Sequence, residues 1–167
     1  MTGIFKRSWI GALVLGIALI GAGAFMVYEG RSAHNEVGDT LADEKIVSAE
    51  DADIPLKAVT GPAEAKAQAE AIKQHMLKTT NGKTYAEMNR NDPNRAQYLN
   101  SVTLRTALME SYMAFKTADL VAGIGIIVIL LGGSQLALGL FLGFVAKPER
   151  ETTAATAPTG RPATGEI

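Results

Sequence analysis

The chain contains no cysteine. That excludes disulfides, thiolate nucleophiles and cysteine-built metal or iron–sulfur sites. Histidine is nearly as scarce, with only His34 and His75 in 167 residues. Neither belongs to an H-x-x-x-H or H-E-x-x-H spacing, so the sequence shows no ready-made metal site and no cofactor is expected. Charge of one sign is also missing: the formal net charge is −1 and the basic residues of the middle segment are spread singly. Nucleic-acid binding needs a concentrated basic face and is not expected. Ser101 and Ser111 lack a nucleophile elbow, and no glycine loop is placed to cradle phosphate. Glu64, Glu70 and Glu87 define no acid–base cleft. Asp39, Asp43, Glu44, Glu50, Asp51 and Asp53 form an acidic stretch, but without the D-x-[DN]-x-[DN]-G loop spacing they read as a solvated face rather than a calcium site.

What the chain does have is two long apolar runs, Trp9–Tyr28 and Leu120–Val145. About 20 apolar residues at 1.5 Å each suffice to cross a hydrocarbon core of about 30 Å. The expected layout is an all-α, multi-pass protein of the cell membrane. It comprises a cytoplasmic N-terminus (1–8), a first span (9–28), an extracytoplasmic helical domain (29–117), a second span (118–146) and a disordered cytoplasmic tail (147–167) rich in Thr, Ala, Pro and Gly. Lys6 and Arg7 before the first span, with Lys147 and Arg150 after the second, place both termini in the cytoplasm by the positive-inside bias. A cleaved signal peptide ending near Ala22-Gly23-Ala24 is the alternative for the first run. Continuation of the run through Phe25–Tyr28, with Trp9 and Tyr28 at its two ends, favours an anchor.

Glycine is concentrated in the spans at helical intervals. Gly16, Gly23 and Gly30 are seven apart, as are Ala118, Gly125, Gly132 and Gly139, and Gly143 follows Gly139 by four. Residues seven apart share a helical face, and small residues there let helix backbones approach closely in lipid. These positions predict a helix-packing seam, either within the chain or with a partner. Gln135, beside Ser134 in mid-span, is a polar group that seeks a hydrogen-bond partner across that seam or on another subunit. Asp119, at the outer end of the second run, reads as interfacial.

Between the spans, Gly61-Pro62 opens a helix and Asn81-Gly82 closes it. Ala65, Ala69, Ile72 and Met76 form its apolar face, opposite Lys66, Glu70, Lys73 and Gln74. Asp92 as N-cap and Pro93 as first residue predict a second helix, uninterrupted by Pro or Gly until Gly123 and continuous with the second span. Its stripes are Leu99, Val102, Thr106, Met109 and Leu104, Leu108, Tyr112, Phe115. Lys83, Thr84, Tyr85, Arg95 and Arg105 form a candidate exterior interaction surface, with a turn anchored by Tyr85 as the plainer account.

The strings Gly61-Pro62, Gln68–His75, Gly82–Met88, Pro93-Asn94-Arg95 and Ser101–Arg105, in step with both spans, resemble a family of small actinobacterial two-span membrane proteins often labelled aromatic ring-opening dioxygenases. The likeness covers roughly residues 40 to 130. It implies the two-span layout and an actinobacterial cell membrane. The family label implies iron held by histidines and a carboxylate, for which the spacing of His34 and His75 gives no basis. The expected function is therefore that of a non-enzymatic accessory or interaction module. Its partners would be the lipid bilayer and either another membrane protein or a second copy through the spans. The alternatives are an extracytoplasmic sensor or ligand-binding module, and a membrane-bound metal enzyme centred on His34 and His75 with Glu36 or Asp39.

Overall fold

The computed structural model describes residues 8–145. The charged flanks at Lys6, Arg7, Lys147 and Arg150, and the tail 147–167, lie outside the described residues. The fold is all-helical among them: α1 (Ser8–Asp43), α2 (Pro62–Thr79), a single 3-10 turn (Tyr85–Glu87) and α3 (Arg95–Val145). Among the described residues no strand forms, and the one β-like contact is an isolated antiparallel bridge between Val47 and Ala58.

Both apolar runs are parts of longer helices. α1 continues fifteen residues past Tyr28, and α3 is a single helix of 51 residues. At 1.5 Å per residue α3 is about 75 Å long, far more than a hydrocarbon core requires. α1 and α3 pack antiparallel along their length, and α2 lies on the outer half of α3.

Local signals account for the ends of α2. Pro62 sits in the first turn after an extended Gly61, where its missing N–H costs nothing. At the other end Asn81 and Gly82 both adopt positive φ, 54° and 83°. The Gly82 N–H donates to Leu77 O at 2.7 Å and the Asn81 N–H to Lys78 O at 3.5 Å. These are the two bonds of a Schellman closure, which satisfies carbonyls the helix leaves open.

The start of α3 departs from expectation by two residues. Pro93 and Asn94 lie in a turn, with the Asn94 N–H donating to Asp92 Oδ1 at 2.9 Å and the Arg95 N–H to Asp92 O at 3.1 Å. Asp92 therefore caps the turn leading into the helix, and Asn94 O receives the first helical bond, from Tyr98 N–H at 2.9 Å.

The core outside the apolar runs has two parts. Leu41, Val59, Ala65, Ala69, Leu108 and Phe115 form the larger, and Met76, Met88 and Tyr98 the smaller. Of the anticipated stripes on α3, Leu108 and Phe115 are fully buried, whereas Leu99 and Leu104 are exposed. Only the narrow line facing α1 and α2 is covered, because two helices cannot surround a third. Ala67 and Ala71, outside the anticipated face of α2, are buried as well, since the segment 44–60 folds back along that side of the helix and bonds to it through the Ala49 N–H and Gln68 Oε1 at 2.7 Å.

Candidate functional site

The glycine series face each other within one chain. A Cβ placed on Gly16 would lie 2.8 Å from Gly132 O, one on Gly23 2.6 Å from Gly125 O, and one on Gly30 2.7 Å from Ala118 O. The relation is reciprocal: Gly125 and Gly132 would meet Gly23 O at 2.7 Å and Gly16 O at 2.8 Å. Real Cβ atoms are not found at such distances, so these backbones touch only because side chains are absent. Small residues on facing helices permit this closeness, which is a main route to helix association in lipid.

Between the glycines, larger side chains lock in. Leu136 caps Gly16, Ile129 caps Gly23, Val27 caps Gly125, Ile20 caps Gly132 and Leu13 caps Gly139. Small-against-large alternation at seven-residue intervals is the knobs-into-holes arrangement of an antiparallel coiled coil. Gly143 is the loosest member, with Trp9 lying over it and a Cβ there 3.3 Å from the indole. Gly11, Gly21, Gly123 and Gly133 face open space.

Gln135 is half-buried beside this seam and makes no hydrogen bond among the described residues. Ser134 donates to Leu131 O at 2.8 Å, within its own helix. The seam is thus wholly apolar, and the amide of Gln135, in the middle of the apolar half of α3, takes no part in it.

The two histidines stand apart, each with its own aspartate. His34 Nδ1 lies 2.9 Å from Asp119 Oδ1, bridging α1 to α3, and its ring meets Phe115 edge-on at 4.8 Å. His75 Nε2 lies 2.7 Å from Asp51 Oδ1, tying α2 to the segment 44–60, and Lys78 approaches the other oxygen at 3.4 Å. The hydrogen bond from His75, with the charges of His75 and Lys78 behind it, holds the Asp51 carboxyl below its ordinary range. No group of three or more His, Asp or Glu side chains is placed to share a metal ion among the described residues. Asp119 is therefore more than an interfacial carboxylate. Its pairing with His34 across 85 residues left no local sequence signal.

The exterior cluster is mostly engaged in its own turn. Arg95 donates to Met88 O at 3.0 Å and Tyr85 O at 3.3 Å, and its guanidinium stacks over the Tyr85 ring at 4.1 Å. Glu87 accepts from the Thr84 N–H at 2.8 Å and hydroxyl at 2.7 Å, and those two bonds depress its carboxyl. Tyr85, Thr84 and Arg95 thus build one turn. Lys83 projects from it, exposed, while Arg105 sits further along α3 beside Met109 and Thr106.

A second feature, one the sequence did not signal, is a cleft of about 460 Å³ where the two helices leave their apolar halves. Gly30, Arg31, His34 and Asn35 of α1 and Asp119, Ala122, Gly123 and Ile126 of α3 line it. Compared with known protein families, with curated proteins and with solved structures, the chain matches none.

Proposed function

We propose that the chain is a two-span integral protein of the cell membrane with both termini cytoplasmic, whose residues 29–117 form an extracytoplasmic helical cap that serves as an accessory or interaction module. One observation carries this reading: the apolar helices use their small residues on each other and leave everything else uncovered. Only 11% of the most apolar window of α1 and 17% of that of α3 is buried. A core helix of a water-soluble fold would be mostly buried. Here Val14, Ile17, Phe25, Leu130, Leu140, Phe141 and Phe144 are all more than 60% exposed, far beyond the apolar patches a soluble monomer displays. A hydrocarbon phase is the solvent in which that surface is stable.

The hairpin also supports a rigid cap. Both helices run unbroken from their apolar halves into the outer core, where Leu41 meets Phe115 and Leu108. The free amide of Gln135 supports a partner helix alongside the second span, since a lone polar group in hydrocarbon gains by pairing. The resemblance noted above agrees with this layout and supplies no reaction.

The test has two arms. Membrane fractions washed with alkaline carbonate should retain the protein, and a reporter that works only outside the cytoplasm should be active when fused at Lys83 and silent at the C-terminus. In mild detergent the protein should migrate as a complex that Gln135→Leu weakens. Release by carbonate sinks the membrane reading; a lone monomer unaffected by Gln135→Leu sinks the accessory role.

A further inference from the structure

We propose that the cleft at the outer mouth of the hairpin is a binding site for the headgroup of an aminophospholipid, a phosphoethanolamine ester. The inference rests on the membrane reading above and adds a ligand to it. The cleft lies where the apolar halves end. Asp119 is the last charged residue before the uncharged run Leu120–Val145, and Arg31 follows the apolar run of α1 by three positions. Its lining is divided in the same sense. Ala122, Gly123 and Ile126 form an apolar floor toward the spans, and Arg31, His34, Asn35 and Asp119 form a polar rim.

The rim has unspent hydrogen-bonding capacity of both signs. Arg31 and Asn35 make no hydrogen bond or ion pair among the described residues. Asp119 uses one oxygen on His34 Nδ1 and leaves the other open. The rim therefore offers a guanidinium and an amide N–H for a phosphate, and beside them a carboxylate oxygen for an ammonium. That is the charge pattern of a phosphoethanolamine zwitterion. A purely anionic headgroup would leave Asp119 facing like charge, and the shielded ammonium of choline cannot donate to Asp119.

The floor gives room for the rest of the lipid. A Cβ on Gly123 would meet nothing within 4 Å, unlike Gly125 two residues on, whose Cβ would strike Gly23 O at 2.7 Å. The empty volume at Gly123 lies on the outer side of the seam, open to the glycerol backbone and the first methylenes of an acyl chain.

The full-length protein is placed in phosphatidylcholine nanodiscs holding equal minor amounts of phosphatidylethanolamine and phosphatidylglycerol, released into mild detergent, and its retained lipids are counted by mass spectrometry. Phosphatidylethanolamine should be retained over phosphatidylglycerol by at least about tenfold, the weight of a single charge-assisted contact. Gly123→Leu should abolish the preference by filling the floor without touching the seam, and Gly133→Leu, on another open face, should leave it intact. Asp119→Asn should shift retention toward phosphatidylglycerol, and Arg31→Gln should lower both. Equal retention of the two lipids, or a preference that survives Gly123→Leu, overturns the proposal. So does saturation by water-soluble phosphoethanolamine, seen as a thermal shift, with no lipid retained. A protein that never enters the nanodisc overturns the membrane reading as well, whereas one that enters and shows no lipid preference overturns this site alone.

Discussion

Ser48 shows how much a single buried hydroxyl can organise. It is 2% exposed. Its Oγ donates to Ile54 O at 2.5 Å and accepts from the Lys57 N–H at 3.0 Å, closing the loop 48–57 that lies against α2. Ser48→Ala should cost about 0.5–1.5 kcal/mol by removing bonds to the half-buried Ile54 O and the exposed Lys57 backbone, with the loss seen as faster amide exchange at Leu56 and Lys57. In the same loop Leu56 has φ 52° and is 68% exposed. A left-handed L-residue costs about 1–2 kcal/mol, and glycine's extra chain entropy costs about 0.5–1 kcal/mol. Leu56→Gly should therefore leave thermal stability unchanged or slightly raised, although the same change at a packed leucine is severe.

The depressed Asp51 carboxyl adds a pH dependence. A group held below its ordinary value of 3.8 stabilises the fold above that value, and the stabilisation is lost as pH falls through the lowered one. Exchange protection across 46–59 should fall as the pH drops below about 4, and in Asp51→Asn that acid-dependent step should vanish. None of these contacts was legible in the sequence. Ser48 reaches six and nine residues ahead and Asp51 twenty-four, without periodicity or motif to mark them.

At the scale of the elements, legibility is much greater, because helix periodicity and end signals are local. Pro62, Asn81-Gly82 and the seven-residue glycine spacing are each written within a few turns of chain. The sequence left open whether the seam joins two helices of one chain or of two, since spacing defines a face and not its partner. The structure pairs Gly23 with Gly125 and Gly16 with Gly132. Gly23→Leu should then separate the helices, because its Cβ would sit 2.6 Å from Gly125 O, a backbone atom that cannot step aside. Overpacking of that kind costs about 1–3 kcal/mol or more. Gly21→Leu, with nothing within 4 Å, should be silent. Thermal unfolding in detergent followed by circular dichroism separates the two; equal melting temperatures would refute the seam as described.

For the whole molecule, the absence of native cysteine makes the hairpin directly testable. Trp9 lies over Gly143 in the closed arrangement. Trp9→Cys combined with Gly143→Cys should form a disulfide under mild oxidation that keeps the chain at monomer mass. A dimer-sized band from this pair would mean that the seam joins separate chains.

The even spacing of the glycines has a consequence for how the hairpin finds its alignment. Sliding α3 along α1 by one repeat, about 10 Å at the helical rise, would set Gly16 opposite Gly139, Gly23 opposite Gly132 and Gly30 opposite Gly125. That is a third glycine pair in place of the Gly30 and Ala118 contact. Like a ruler with repeating marks, the glycines alone do not choose between these two settings, although the slide would put Gly143 where Leu136 now caps Gly16. The choice is reinforced at the far end, where Phe115 packs with Leu41 and Val59 and where His34 meets Asp119. These outer contacts are the clasp on the ruler, and a chain shortened to its two apolar runs should hold its alignment less firmly.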